Sequence, residues 1–299
     1  MLNFSFMIKT ERLPIKKKLQ IKLKKYPIIY NIIKLAYNIV NLRYINLYLL
    51  YVKHKFYILF CFFTKRKISS DPFLLSSTSE PRIKDLEKEL SLQIDQFIKY
   101  NQKKFFIFLE VGVFLGATTC RLGVILKKRL YGRFQIITID PFIPYTGSFR
   151  HEFNIKSVHK YFKHNISIEN LNNNHKHFHL KSKEAYKKLK KNNSYFDFCF
   201  IDGSHKYFDV KNDISNFKNL CFKSKYYSGV MLGDDYEYSY EELLMSKNNK
   251  VLLKELKKNN LYNDSMVSFN NLYFHPGVTF ALKDLKLKIK KIKSGLWKY

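Results

Sequence analysis

Two short apolar runs of this chain end in acids. Phe196 to Ile201 leads into Asp202 within FDFCFIDGSHKYFDVKNDI, and Gly229 to Leu232 leads into Asp234 and Asp235 within SGVMLGDDY. If the two runs are neighbouring strands, three carboxylates meet at the C-terminal edge of a sheet, where open α/β folds bind ligands. Such charges repel unless they are protonated, solvated or shared with a cation, and hard oxygen donors favour Mg²⁺ or Ca²⁺ over zinc. His205 follows three residues after Asp202. An imidazole with an unperturbed pKa near ~6.5 suits proton abstraction at neutral pH. A solvated acidic loop and a structural histidine are the bland alternatives. His151 and His275 have no comparable neighbours in the sequence.

A second group lies earlier. In FFIFLEVGVFLG, Glu110 stands near the end of an apolar run, and Gly112 and Gly116 precede a helix expected to begin near Ala117 or Thr118. The glycines allow a tight turn and close backbone approach to a ligand, although helix–strand packing asks for the same residues. Asp140 ends the next run, IITIDPF, where a carboxylate can accept hydrogen bonds from two ribose hydroxyls. A dinucleotide site would show GxGxxG, with pyrophosphate on the helix N-terminus. Here the middle glycine is absent. Glu110 repels phosphate and suits a cationic amino-acid moiety.

The elements that would position these residues follow from pattern. Phe105 to Val111, Phe134 to Ile139, His177 to Leu180, Phe196 to Ile201 and Gly229 to Leu232 are short β-rich runs alternating with helical stretches. Continuous apolar strands separated by helices imply a doubly wound, mostly parallel α/β sheet covered on both faces. Val278 to Leu282 reads as a last strand. Arg82 to Tyr100 reads as a helix with Ile83, Leu86, Leu90, Ile94 and Phe97 on one face. The Ser- and Pro-rich stretch 68–81 reads as a linker, which leaves a catalytic domain over 82–285 and a basic C-terminal tail over 286–299. Ile143 to Asn154, with Pro144, Gly147 and Ser148, reads as a mobile loop.

In order and spacing, EVGVFLGATT, IITIDPF, LKSKEAY, FDFCFIDGSHKYFDVKNDI and GVMLGDDY resemble the class I S-adenosylmethionine-dependent methyltransferases. The similarity runs over roughly residues 83 to 282. It is most specific at IDGSH and GDDY, which resemble the metal-assisted sugar O-methyltransferases of the macrocin and mycinamicin type. The resemblance implies a Rossmann-like domain in which Glu110, Gly112, Gly116, Asp140, Ser182 and Asp202 border the cosubstrate. Glu110 and Gly112 would lie at its methionine end, Asp140 at its ribose and Ser182 beside adenine. It also implies that Asp202, Asp234 and Asp235 ligate a divalent cation, usually magnesium, and that His205 is the general base. Lys181 stands where such proteins often carry an acid.

The formal charge of +30 suggests a polyanionic partner, yet Lys outnumbers Arg 46 to 8 and Ala occurs four times, a bias that an AT-rich genome also produces. Residues 1–67 are more pointed, with 15 Lys or Arg against the single acid Glu11, a net of +14. Between Tyr26 and Phe63 the uncharged runs fall short of the ~18 residues that a spanning helix needs. Asn31, Lys34, Asn38 and Asn41 recur at helical spacing and leave Ile28 to Val40 as an apolar face. This extension is expected to be helical, and either to lie on anionic membrane or to pack on the catalytic domain or a second copy. Four cysteines without CxxC spacing argue against zinc and disulfide frameworks and for a reducing, cytoplasmic setting.

The expected reaction is therefore Mg²⁺-assisted methyl transfer to a hydroxyl of a sugar or glycoconjugate. A nucleic-acid methyltransferase is the alternative that the basic charge favours, but IDGSH stands where base-modifying enzymes usually carry NPPY or DPPY. A noncatalytic, membrane-associated scaffold is a third reading, which the intact set of acids and His205 opposes.

Overall fold

The computed structural model describes residues 42–68, 79–100, 105–143, 149–245, 247–258, 267–269 and 272–299. Its contacts divide the chain into two units, residues 1–75 with 144–154 and residues 76–143 with 155–299.

The second unit is built on Phe106–Val111 (β1), Phe134–Ile139 (β2), His175–Phe178 (β3), Phe198–Ile201 (β4) and Val230–Gly233 (β5). They pair in parallel in the order β3-β2-β1-β4-β5. Successive residues of a strand point to opposite faces. Phe108 and Phe198 therefore enter one buried cluster while Leu109 and Cys199 enter another. Burial on both faces is why these strands read as continuous apolar runs. Glu80–Tyr100, Ala117–Leu130, Ser182–Lys191 and Tyr207–Phe217 are helices, as are Phe149–Ile168, Tyr240–Met245 and Lys247–Lys258. The helix Glu80–Tyr100 buries Leu86, Leu90, Ile94 and Phe97 beside Phe106 and Phe108.

The C-terminal end departs from expectation twice. Val278 to Leu282 is no strand; it lies inside the helix Pro276–Leu285, which begins with proline in its first turn and has Pro276 through Leu282 all buried. A short apolar run carries the same signal whether it is a buried strand or a buried helix, and here the proline favours the helix. Nor do residues 286–299 form a tail. Lys290–Lys291 (β6) and Trp297–Lys298 (β7) make an antiparallel pair, and β7 runs antiparallel to β5, extending the sheet to seven strands. Trp297, the single tryptophan, is buried in the core. One tryptophan seated between β5 and β6 outweighs the lysines around it.

A separate two-stranded ladder joins Val267–Phe269 to Leu272–Phe274. The third strand lies two residues earlier than expected, at an edge where alternation of His175, His177 and His179 replaces an apolar run. The stretch read as a loop over Ile143 to Asn154 is in part helical, because Phe149–Ile168 begins within it; residues 144–148 lie outside the described residues. The linker reading also falls mostly outside them, at 69–78, and its last two residues, Glu80 and Pro81, are helical. The first unit contains the helix Leu42–Phe63 and the start of Phe149–Ile168, whereas the amphipathic face from Ile28 to Val40 lies outside the described residues.

Candidate functional site

The order of the strands reverses between β1 and β4, the place where doubly wound sheets open a crevice beyond the C-terminal ends of their strands. Gly112 follows β1 there with φ of 84°, and a Cβ at that position would meet the Asp202 carbonyl oxygen at 2.1 Å. Only glycine lets the two chain ends pass so closely. Gly116 also has positive φ, 78°, but its missing Cβ makes room for the Phe162 ring.

Glu110 is buried and accepts a 2.6 Å hydrogen bond from the Thr119 hydroxyl. Burial pushes its pKa up to about 8, with Asp140 adding to the rise and Thr119 opposing it. Asp140 is spoken for by backbone: one carboxylate oxygen accepts the N–H groups of Val113 (3.0 Å) and Phe114 (3.1 Å), and the other accepts that of Phe142 (2.7 Å). It thus ties the loop after β1 to the loop after β2. The oxygen that accepts only the Phe142 N–H still has a lone pair to offer a ribose hydroxyl. Ser182 is the first residue of its helix, and its hydroxyl bonds the buried Asp213 carboxyl, whose pKa burial raises to about 7.

At β4 and β5 the acids meet as anticipated. The two strands pair from Phe198 with Val230 to Ile201 with Gly233, which brings Asp202 and Asp234 to the same edge. Asp235 sits in the left-handed region with φ of 60°, a conformation that costs a non-glycine residue about 1–3 kcal/mol and that tertiary contacts must hold. The contacts are visible. Asp235 Oδ2 lies 3.0 Å from His205 Nδ1 and its Oδ1 lies 2.6 Å from Arg82 Nη1, while Asp234 Oδ1 accepts the Asp235 N–H at 2.7 Å. Burial alone would lower the pKa of His205, but the charge and hydrogen bond of Asp235 outweigh it and raise it. Burial, with Asp234, Asp235 and Glu110 nearby, raises that of Asp202 far above the ordinary carboxylate range.

Three members of the cluster escaped the sequence reading. Arg82, from the first turn of the helix Glu80–Tyr100, contacts Asp234 at 2.8 Å, Asp235 at 2.6 Å and Glu237 at 3.2 Å, and its Nε donates to the Ser294 carbonyl at 2.9 Å. Glu237 accepts from the ring Nδ1 of His275 at 3.0 Å and from its backbone N–H at 3.3 Å. His275, set aside in the sequence, lies with its ring centre 4.8 Å from that of His205. The helix Pro276–Leu285 brings it there: a Cβ on Gly277 would meet the His205 carbonyl oxygen at 2.2 Å. Arg82 and His275 are, respectively, 153 and 40 residues from Asp235 in sequence, and no local motif announces them.

The donors fit a divalent cation. Asp202, His205 and Asp235 each offer an atom within 4.8 Å of the others, and so do Asp235, Glu237 and His275. Among the described residues no donor reaches the Asp202 carboxylate, so a cation or a proton is what its burial asks for. Asp234 is differently placed, buried and turned to Arg82, which leaves Asp202 and Asp235 as the oxygen donors of the first group.

Residues 109–236 match the family model described as a methyltransferase domain. Similar solved structures include an O-methyltransferase from Bacillus cereus in complex with SAH, at 15% identity and TM-score 0.38, covering 74% of this chain and 81% of that one. Another is TomG from Streptomyces achromogenes, an O-methyltransferase involved in tomaymycin synthesis, in complex with SAM, at 13% identity and TM-score 0.44, covering 79% of this chain and 92% of that one. A third is CalS11, a TDP-rhamnose 3'-O-methyltransferase of calicheamicin biosynthesis, at 11% identity and TM-score 0.35, covering 66% of this chain and 81% of that one. No curated protein sequence matches significantly.

Proposed function

Residues 109–236 match the model of a methyltransferase domain, and we propose that the chain uses S-adenosylmethionine to methylate a hydroxyl of a sugar or glycoconjugate with the help of Mg²⁺. The observation that carries this reading is the meeting of Asp202, His205 and Asp235 at the sheet edge, one short loop away from Glu110 and Gly112.

In this reading Glu110 faces the methionine end of the cosubstrate, Asp140 its ribose and Ser182 its adenine side, and the Gly112 backbone lets the ligand approach β1. Asp202 and Asp235 would hold the cation, and Mg²⁺, which keeps most of its waters, is commonly bound by one or two carboxylates. When bound, such an ion favours the ionised form of a coordinated hydroxyl. Asp235 holds Nδ1 of His205, which leaves Nε2 to take the acceptor's proton, and the same carboxylate favours the imidazolium that results. Arg82 neutralises Asp234 and part of Asp235, so the cluster keeps its shape without a net charge of three. Glu237 orients His275 beside His205, where it can donate to a neighbouring acceptor hydroxyl.

The test is methyl transfer from labelled cosubstrate to a panel of nucleotide-linked and free sugars, with product mapped by NMR. Transfer that stops in chelator and returns with Mg²⁺ supports the reading. Activity unchanged by chelator removes the cation, and a folded protein that does not bind S-adenosylmethionine in calorimetry ends the methyltransferase reading.

A further inference from the structure

We propose that the helix Leu42–Phe63 (α1) is a membrane-surface helix that seats an exposed aromatic stripe in an anionic lipid interface. Ile58 and Cys61 are buried on one side of it. On the other side Leu49, Phe56, Leu59, Phe60 and Phe63 are exposed, Phe56 at 68% and Phe63 at 85%. At 3.6 residues per turn these five fall within roughly 100° of the helix circumference. Single exposed apolar residues are ordinary, whereas a continuous stripe of three phenylalanines and two leucines marks an interaction surface.

Charge decides the occupant. Residues 42–67 hold six Lys or Arg and no acid. Lys53, exposed beside the stripe, can lay its chain along buried acyl surface while its ammonium group reaches the headgroups. Arg66, just after the helix, stands over the Phe60 ring at 5.3 Å. A second copy of the same helix would bring like charges together, whereas acidic headgroups answer all of them at once. No helix among the described residues is long and apolar enough to cross a membrane, and an apolar stripe on one side of a helix suits one that lies in the surface.

Flotation of the full-length protein with phosphatidylcholine vesicles, with and without phosphatidylglycerol, tests this. The wild type should float with the anionic vesicles and be released by high salt. The Phe56→Ser, Phe60→Ser, Phe63→Ser variant should bind them at least roughly tenfold more weakly, since each exposed ring lost removes insertion energy. Lys53→Glu with Lys65→Glu should weaken binding to anionic vesicles alone, which covers the case in which the triple variant does not fold. The proposal is overturned if the wild type does not float or if the folded triple variant floats like it. A wild-type dimer that the triple variant splits, with neither floating, would show that a second copy covers the stripe instead.

Discussion

His205 and Asp235 form a dyad, Nδ1 to Oδ2 at 3.0 Å, and the other oxygen of the same carboxylate is held by Arg82. Asp235 therefore holds two basic side chains from opposite sides. Burial opposes its ionisation, but His205, His275 and Arg82 more than compensate and hold its pKa far below the usual range. His205 is raised in return.

His205→Ala should lower the methyl-transfer rate by about 10² to 10⁴, the usual contribution of a general base, while leaving cosubstrate affinity nearly intact. The wild-type rate should climb with pH as His205 loses its proton. The variant should lack this limb and recover only at higher pH as the acceptor ionises unaided. A variant with wild-type turnover would remove His205 from the chemistry.

Arg82→Leu should destabilise the fold by about 3 to 5 kcal/mol, because three acids that share one guanidinium would be left in a partly buried cluster. Arg82→Lys should recover only part of this, since an ammonium cannot reach all three acids and the Ser294 carbonyl in one planar fork. Chemical denaturation of the three proteins measures it. A leucine variant as stable as the wild type would mean that the acids are solvated or protonated instead.

Glu110 should bind a proton in the ligand-free protein at pH 7, its pKa being pushed up to about 8 by burial. A folded pKa above the unfolded value gives stability that is complete below about 4.5 and lost as pH rises towards 8. A cationic amino-acid group docking beside it favours the ionised form, so cosubstrate binding should release protons. Calorimetry at pH 7 in buffers of different ionisation enthalpy reads this directly, and Glu110→Gln should abolish the buffer dependence. Equal heats in all buffers for the wild type would place the cationic moiety elsewhere.

The histidines of β3 should make the domain acid-sensitive. Thr138 Oγ1 lies 2.7 Å from His175 Nε2 and 3.0 Å from His177 Nδ1, and burial pushes the two rings down to about 4 and about 3. Depressed histidines contribute stability that is present above the unfolded value, ~6.5, and fades as pH falls towards the folded one. Urea midpoints should therefore drop between pH 7 and pH 5. His177→Phe should flatten that slope, and a variant that loses stability with acid as steeply as the wild type would assign the effect to other groups.

The parallel sheet was legible because burial on both faces writes itself into local composition: each of β1, β2, β4 and β5 is a short apolar run ending at the functional edge. Where burial is partial the record blurs, as at the histidine-bearing edge strand, and where a strand is only two residues long, as in Trp297–Lys298, no periodicity exists to read. The acids and His205 could be picked out because they stand directly after strands that hydrogen bonding must align. What sequence could not decide is which charges neutralise them. Arg82 and His275 reach the cluster through the packing of two helices and a C-terminal hairpin, and their distances from Asp202 are set by the fold, not by spacing along the chain. Local pattern can say that a carboxylate ends a strand. Only the tertiary structure decides that Asp234 faces an arginine while Asp202, His205 and Asp235 bring donor atoms within 4.8 Å of one another, because Coulomb interactions act through distance and the chain brings remote residues within a few ångströms only once it has folded.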